Sequence, residues 1–173
     1  MNVRTLCLAI LHFGEVTGYE IKKLAEDGKF CYFIEASFGA IYPALTRMFN
    51  EGLVTWRSEQ QEGKPSRKVY AITDLGRTQF IESLYEEPKP DKYKSEFLLM
   101  MLCSNILDKT YVTKLIDKKI TEVELELQRL EQSLLTQQSS SEEFVFGYGI
   151  HMNKANLEFL HAQRHLVENQ DFT

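Results

Sequence analysis

Ser37-Phe38-Gly39-Ala40-Ile41-Tyr42-Pro43-Ala44-Leu45-Thr46-Arg47-Met48-Phe49-Asn50-Glu51-Gly52-Leu53-Val54-Thr55-Trp56-Arg57 changes its period halfway. Up to Asn50 the apolar residues Ile41, Leu45 and Met48, with Phe49 at their edge, recur at the three- and four-residue steps of one helix face. Ser37 can cap this helix, and Gly52 closes it because glycine accepts the left-handed turn at a helix end. The opposite face carries Tyr42, Thr46, Arg47 and Asn50. Pro43 removes a hydrogen bond to residue 39 and crowds that carbonyl, and residue 39 is glycine, the residue best able to adjust. A defect placed in this way near a helix start marks a surface meant to sit close to something. Beyond Gly52 the run Leu53–Arg57 reads as a short strand.

Working toward the N-terminus, Thr17-Gly18-Tyr19-Glu20 is a capping box in which the Thr17 hydroxyl and the Glu20 carboxylate each satisfy the other's backbone N–H. The helix it opens turns Ile21, Leu24 and Ala25 inward and Lys22 and Lys23 outward, and closes near Gly28. Before it, Val3, Leu6, Cys7, Ile10 and Leu11 form the stripe of an amphipathic first helix. Arg4 ahead of an apolar run resembles the start of a signal peptide. Glu15 and the lack of a small-x-small cleavage site argue against one.

Toward the C-terminus, residues 59–66 are a polar turn containing Gly63 and Pro65, and Lys68-Val69-Tyr70-Ala71-Ile72 is a second strand, so the two strands make a hairpin with a protruding tip. Thr73 caps a fourth helix with Phe80, Ile81 and Leu84 on one side. Glu86-Glu87-Pro88-Lys89-Pro90-Asp91 is charged and twice interrupted by proline, and it divides a domain of residues 1–87 from one of residues 92–173.

After a helix over 94–104, two long helices carry independent heptad stripes: Ile116, Ile120, Val123, Leu127, Leu130 and Leu134, then Tyr148, Met152, Ala155, Phe159, Ala162 and Leu166. Ser140 with Glu143 caps the second, and Gly147 and Gly149 within it point to close helix approach. The helices can bury each other as an antiparallel hairpin, or pack on a partner chain. The expectation is a homodimer whose interface draws on Ile116, Ile120, Val123, Leu127, Leu130, Tyr148, Met152, Phe159 and Leu166.

The chain has 173 residues, 43% of them hydrophobic, which suffices for a core in each half and argues against wholesale disorder. Its net charge of −5 is unevenly placed. Residues 1–85 hold ten basic and ten acidic side chains, whereas ten basic and fifteen acidic ones follow, so the first half has room for a local basic face. Three scattered cysteines without a Cys-x-x-Cys pair (Cys7, Cys31, Cys103) argue against a disulfide framework or a zinc knuckle. Phe97–Cys103 is far shorter than the ~20 residues that span a bilayer. The expected setting is the cytoplasm, with no membrane partner.

Helix, helix, turn, helix, hairpin is the order of a winged helix-turn-helix, whose third helix enters the major groove while the hairpin tip reaches a neighbouring phosphate or the minor groove. The expected fold is therefore mainly α with a small β-hairpin: an N-terminal winged helix-turn-helix followed by a helical, coiled-coil-like dimerisation domain. Tyr42, Thr46, Arg47 and Asn50 can meet bases and phosphates from the third helix. Tyr19, Lys22, Lys23 and Ser37 flank it, and Lys64, Ser66, Arg67 and Lys68 arm the wing. The rival reading of the same domain is a winged-helix module that binds protein.

The blocks Gly18-Tyr19-Glu20-Ile21-Lys22-Lys23, Gly39-Ala40-Ile41-Tyr42-Pro43-Ala44-Leu45, Glu51-Gly52-Leu53-Val54, Arg67-Lys68-Val69-Tyr70 and Ile72-Thr73-Asp74-Leu75-Gly76-Arg77 resemble, in order and spacing over residues 1–85, the PadR family of bacterial transcriptional regulators. Phe38-Gly39 departs from the proline-glycine often found at that helix start. The resemblance implies a homodimeric regulator of double-stranded DNA, usually a repressor, with a C-terminal half of the longer, virulence-activator-like type. It also implies a small-molecule effector. Phe97, Met100, Met101 and Tyr148 have the adaptable apolar character of a pocket lining, although the same character suits a core, and core is the expectation taken.

Other chemistries find less support. His161 and His165 lie four apart on one helix face, but no third ligand is in evident reach, so no metal is expected and the pair reads as polar residues flanking the stripe. Cys103 has no basic neighbour to activate it, and Trp56 is expected to pack in the core. No phosphate-binding loop or nucleophile elbow occurs, so neither a cofactor nor an enzymatic activity is expected.

Overall fold

A computed structural model describes residues 2–27, 30, 38–61, 64–136 and 139–169. It divides into two compact units, Met1–Asp91 and Lys92–Thr173. In the first, helix α1 (Val3–Phe13) is capped by Asn2, whose side chain accepts from Thr5 N. Strand β1 (Val16–Thr17) leads directly into α2 (Gly18–Asp27), and α3 (Phe38–Asn50) follows. The hairpin β2 (Val54–Gln61) and β3 (Lys64–Ile72) leads to α4 (Asp74–Leu84). Gly28 as a helix end, Ser37 as a cap, and Cys31 fall outside the described residues.

The strands are longer than their sequence pattern suggests, and β1 adds an edge that two residues could not announce. The antiparallel sheet has the order β1-β3-β2, with Thr17 opposite Val69, Trp56 opposite Tyr70, and Glu59 opposite Arg67. Leu6, Cys7, Ile10 and Leu11 of α1 meet Ile21, Ile41, Leu45 and Met48 from α2 and α3, with Leu53 and Val54 closing the cluster. Burying each such aliphatic side chain is worth about 1.5–3 kcal/mol. Cys7 behaves as a hydrophobe in this cluster, and burial pushes its thiol up to about 12.

A single node joins α3, the hairpin and α4. Gly52 takes φ 73°, its N–H bonds Phe49 O at 3.0 Å, and Leu53 N bonds Met48 O at 2.8 Å, the paired bonds of a Schellman ending. Leu53 O then accepts from Thr73 N at 3.0 Å. The Thr73 hydroxyl donates to Gly52 O at 2.7 Å and accepts from Gly76 N at 3.0 Å, capping α4. A Cβ on Gly76 would stand 2.1 Å from Leu53 O, so only glycine fits there. Along α4, Gly76 and Phe80 are buried, whereas Ile81 and Leu84, grouped with Phe80 on one side in the sequence, are exposed. The node fixes which face α4 turns inward.

In the second unit, α5 (Glu96–Leu102) is capped by Ser95 and followed by a 3₁₀ turn over Ser104–Ile106. Helix α6 (Lys109–Leu135) is capped by Asp108, α7 (Ser140–Gln163) pairs with it along much of its length, and a short α8 (His165–Glu168) completes the unit. The cap of α7 is Ser139, which accepts from Glu142 N, one residue before the expected Ser140–Glu143 pair. The core takes Val112, Ile116, Ile120 and Val123 from α6 and Leu160 from α7, with Phe97 and Met101 packed against it.

The face that α7 turns inward is not the expected one. Phe146, Gly149 and Leu160 are its buried residues, while Tyr148, Met152 and Phe159, and Leu166 of α8, are all more than half exposed. The C-terminal clasp also differs from a plain apolar seam: Arg164 bonds Glu168 and reaches Asp117 of α6 at 2.9 Å. Of the two glycines in α7, Gly149 sits against Leu130, whose Cδ1 would lie 3.1 Å from an added Cβ, but nothing approaches Gly147 within 4 Å. The expectation of close approach applies to Gly149 alone.

Two glycine substitutions should therefore separate in sign. Gly76→Ala is expected to cost more than about 2 kcal/mol through the clash with Leu53 O. Gly147→Ala should stabilise by up to about 1 kcal/mol, as in an uncrowded helix interior. Urea unfolding of the full chain measures both.

Candidate nucleic-acid interface

Helix α3 stands with Ile41, Leu45 and Met48 fully buried and its other side open. At about 100° per residue, Thr46 and Asn50 point away from the core, with Tyr42 on one flank and Arg47 on the other. All four side chains are exposed. The Thr46 hydroxyl donates back to Tyr42 O at 3.0 Å, leaving its lone pairs and methyl outward. Arg47 borders a concavity shared with Asn2, Pro43 and Glu51, where Arg4 pairs with Glu51 at 3.1 Å. The Pro43 ring is exposed beside it, on the outer face of the helix.

On the other flank, Tyr42 lies over the start of α2. A Cβ on Gly18 would be 2.7 Å from Tyr42 Cε1, so the glycine of the Gly18-Tyr19-Glu20 block is the seat of the tyrosine ring. The capping box is present: Thr17 N bonds Glu20 Oε2 at 2.7 Å and Glu20 N bonds the Thr17 hydroxyl at 3.2 Å. These bonds from Thr17, reinforced by Arg67, hold the Glu20 carboxyl below the usual carboxylate range. Thr17, Gly18, Tyr19, Lys23, Tyr42 and Lys68 border one open concavity between α2, α3 and the wing. Tyr19 and Lys23 are exposed there, and Lys22 is half-buried.

The wing departs from its expected form in two places. Trp56 is 38% exposed rather than core: its ring lies 6.1 Å from that of Phe49, and Lys68 Nζ stands 4.1 Å over it. Lys68 is thereby aimed along the face of the sheet nearest α3. Arg67 is also engaged, with Glu59 at 2.6 Å and Glu20 at 3.8 Å. The sequence holds Trp56 and both carboxylates in plain view, but only the strand register sets them beside these cations. Ser66 is exposed, while the side chain of Lys64, like Ser37, lies outside the described residues.

The residues expected at a dimer interface fall into two groups. Ile116, Ile120, Val123 and Leu130 are buried within the unit itself and Leu127 is half-buried, so most of the α6 stripe is taken up by this chain. Tyr148, Met152, Ala155, Phe159 and Ala162 form an exposed apolar stripe along α7, and Leu166 is exposed on α8. His161 and His165 are exposed beside that stripe, and among the described residues no group of three or more potential metal ligands forms. Of the residues weighed for a pocket lining, Phe97 and Met101 pack on the core, Met100 is half-buried and Tyr148 is exposed. Among the described residues no helix is long and apolar enough to cross a membrane.

Comparison with known proteins gives this arrangement a lineage. The model of the transcriptional regulator PadR-like family matches residues 7–82. The chain is 28% identical over 140 residues to the negative transcriptional regulator PadR of Bacillus subtilis, covering 80% of this chain and 76% of that one. It superposes on a PadR-like transcriptional regulator from Bacillus cereus with a TM-score of 0.82 and 30% identity over 95% of this chain and 94% of the other. Bacillus subtilis PadR in complex with operator DNA superposes with a TM-score of 0.75 at 24% identity over 95% and 98% of the two chains, a likeness of fold. The same protein has been solved with p-coumaric acid. These relatives are regulators rather than enzymes, and their likeness runs through both units, so this chain is a transcriptional regulator belonging to the PadR-like family.

Proposed function

We propose that the chain is a cytoplasmic, sequence-specific repressor that binds double-stranded DNA as a homodimer. The observation that carries this reading is the open face of α3, with Tyr42, Thr46, Asn50 and Arg47 exposed above a fully buried Ile41-Leu45-Met48 edge and the wing alongside. A helix displayed in this way is suited to the major groove, where amide and guanidinium groups read base edges. Tyr19 and Lys23 flank it, Ser66 is exposed on the wing, and we assign backbone contacts to these residues and to Lys64. The regulator of Bacillus subtilis that is described as negative and has been solved on its operator supports the same direction of control.

Homodimer formation is assigned to α7. Its exposed stripe would cost free energy if left in water, and a twofold partner buries it with identical residues. Two α3 helices related by that axis would enter successive major grooves about 34 Å apart on a pseudo-palindromic site. A small-molecule effector is part of the proposal, by analogy with the p-coumaric acid complex of the Bacillus subtilis protein.

Gel shifts on DNA from immediately upstream of the chain's own gene test the reading. Arg47→Ala and Tyr42→Ala are expected to abolish the shift while far-ultraviolet circular dichroism stays unchanged. Lys64→Ala should weaken binding on every sequence and reduce the salt slope by about 0.9, the value of one phosphate contact. Normal binding by both α3 variants would refute the assignment of that helix.

Phe159→Glu places a charge in the α7 stripe without touching the unit's own core. Sedimentation should then show a monomer at micromolar concentration where the wild-type chain is a dimer, with affinity for the full site reduced by more than about tenfold. A wild-type monomer would refute the dimer.

A further inference from the structure

All three nitrogens of the Arg67 guanidinium face carboxylates. Nε donates to Glu59 Oε2 at 2.6 Å, Nη2 stands 2.6 Å from the same oxygen, and Nη1 lies 3.8 Å from Glu20 Oε1. The other Glu20 oxygen, Oε2, accepts from the backbone N–H and the hydroxyl of Thr17 at 2.7 and 2.8 Å. Thr17 is paired with Val69 in the same sheet. A continuous path therefore runs from the wing strand β2 through Glu59, Arg67 and Glu20 to the first turn of α2.

Two carboxylates around one guanidinium leave this cluster with net negative charge, an unsuitable reception for phosphate. Swinging Arg67 onto DNA would leave Glu20 and Glu59 uncompensated beside a polyanion. Lys23 and Lys68 line the same concavity as Arg67 and Glu20, but neither lysine has an ion pair with a carboxylate among the pairs found in the described residues. We infer that Arg67 is a positioning residue of the nucleic-acid interface: clamped by Glu59 and Glu20, it fixes the wing relative to α2 and α3 and makes no phosphate contact. This rests on the DNA-binding reading above and refines it. Exposed ion pairs add little to folding stability, so the clamp acts on the angle of the wing rather than on the stability of the domain.

The test uses the full chain and a duplex enriched by the wild-type protein from a random-sequence pool, with affinity measured across a salt series. Glu20→Gln is the informative variant, because glutamine preserves a capping box with Thr17 while removing the charge that faces Arg67. Arg67→Ala and Glu20→Gln are each expected to weaken binding by about tenfold, and the double variant should be no weaker than either. The salt slope and the melting temperature should stay at wild-type values. A slope reduced by about 0.9 in Arg67→Ala, with binding unchanged or tightened in Glu20→Gln as loss of a repelling charge predicts, overturns the inference and leaves the DNA-binding reading standing. Should Arg67→Ala fail to fold, Glu20→Gln decides alone: weakened binding at an unchanged slope supports the clamp, and unchanged or tighter binding refutes it. If the wild-type chain enriches no duplex, the DNA-binding reading falls and the inference falls with it.

Discussion

The backbone between Gly52 and Leu53 sets the geometry of the N-terminal unit. Leu53 ends α3 through its N–H, starts the hairpin, and receives the returning chain through its carbonyl, which bonds Thr73 and lies against Gly76. The Thr73 hydroxyl closes the circuit to Gly52. An α3 displaced along its axis would pull the β2 start with it and open the α4 cap. The displayed helix and the wing are thus tied by short, directional hydrogen bonds in addition to the packing of Ile41, Leu45, Met48, Leu53 and Val54 in the core.

The sheet sorts its charges by face. One face carries Val54, Tyr70 and Ile72 toward the helices and, farther along, Trp56 and Lys68. The other carries Arg57 paired with Glu15, and Arg67 paired with Glu59 and Glu20. Strict alternation of side chains makes this separation automatic once the register is set. A chain of net charge −5 can in this way present lysines beside α3 while several of its acids are occupied in local pairs. Local placement, not total charge, shapes the potential near a surface when the Debye length is only about 8 Å.

Helix α7 has two apolar sides. Gly149 and Leu160 pack on α6 and Phe146 is buried, while Tyr148, Met152 and Phe159 lie exposed around the cylinder. Heptad periodicity finds a stripe but does not say what covers it. In α6 the stripe found from the sequence is the one buried in the chain, and in α7 it is the other one. At the end of α7 the clasp from Arg164 to Asp117 and Glu168 adds a polar contact that an apolar period does not register.

Local chemistry was legible in the sequence. The helix of α3 with its break at Gly52, the Thr17–Glu20 and Thr73 caps, the hairpin, the charged linker and the family blocks all follow from interactions within a few residues, which a linear pattern records. What depended on chain segments meeting across the fold was not. The two-residue β1, the exposure of Ile81, Leu84 and Trp56, the inner face of α7, and the capture of Arg67 by Glu20 and Glu59 are each fixed by a partner dozens of residues away or on another strand. Hydrogen-bond registers and the turn geometry at Gly52 and Gly76 choose those partners. The sequence by itself determined which residues could form the interface and the helical elements; the tertiary structure decided which way each of them faces, because direction is set by packing between elements and not by the period within one.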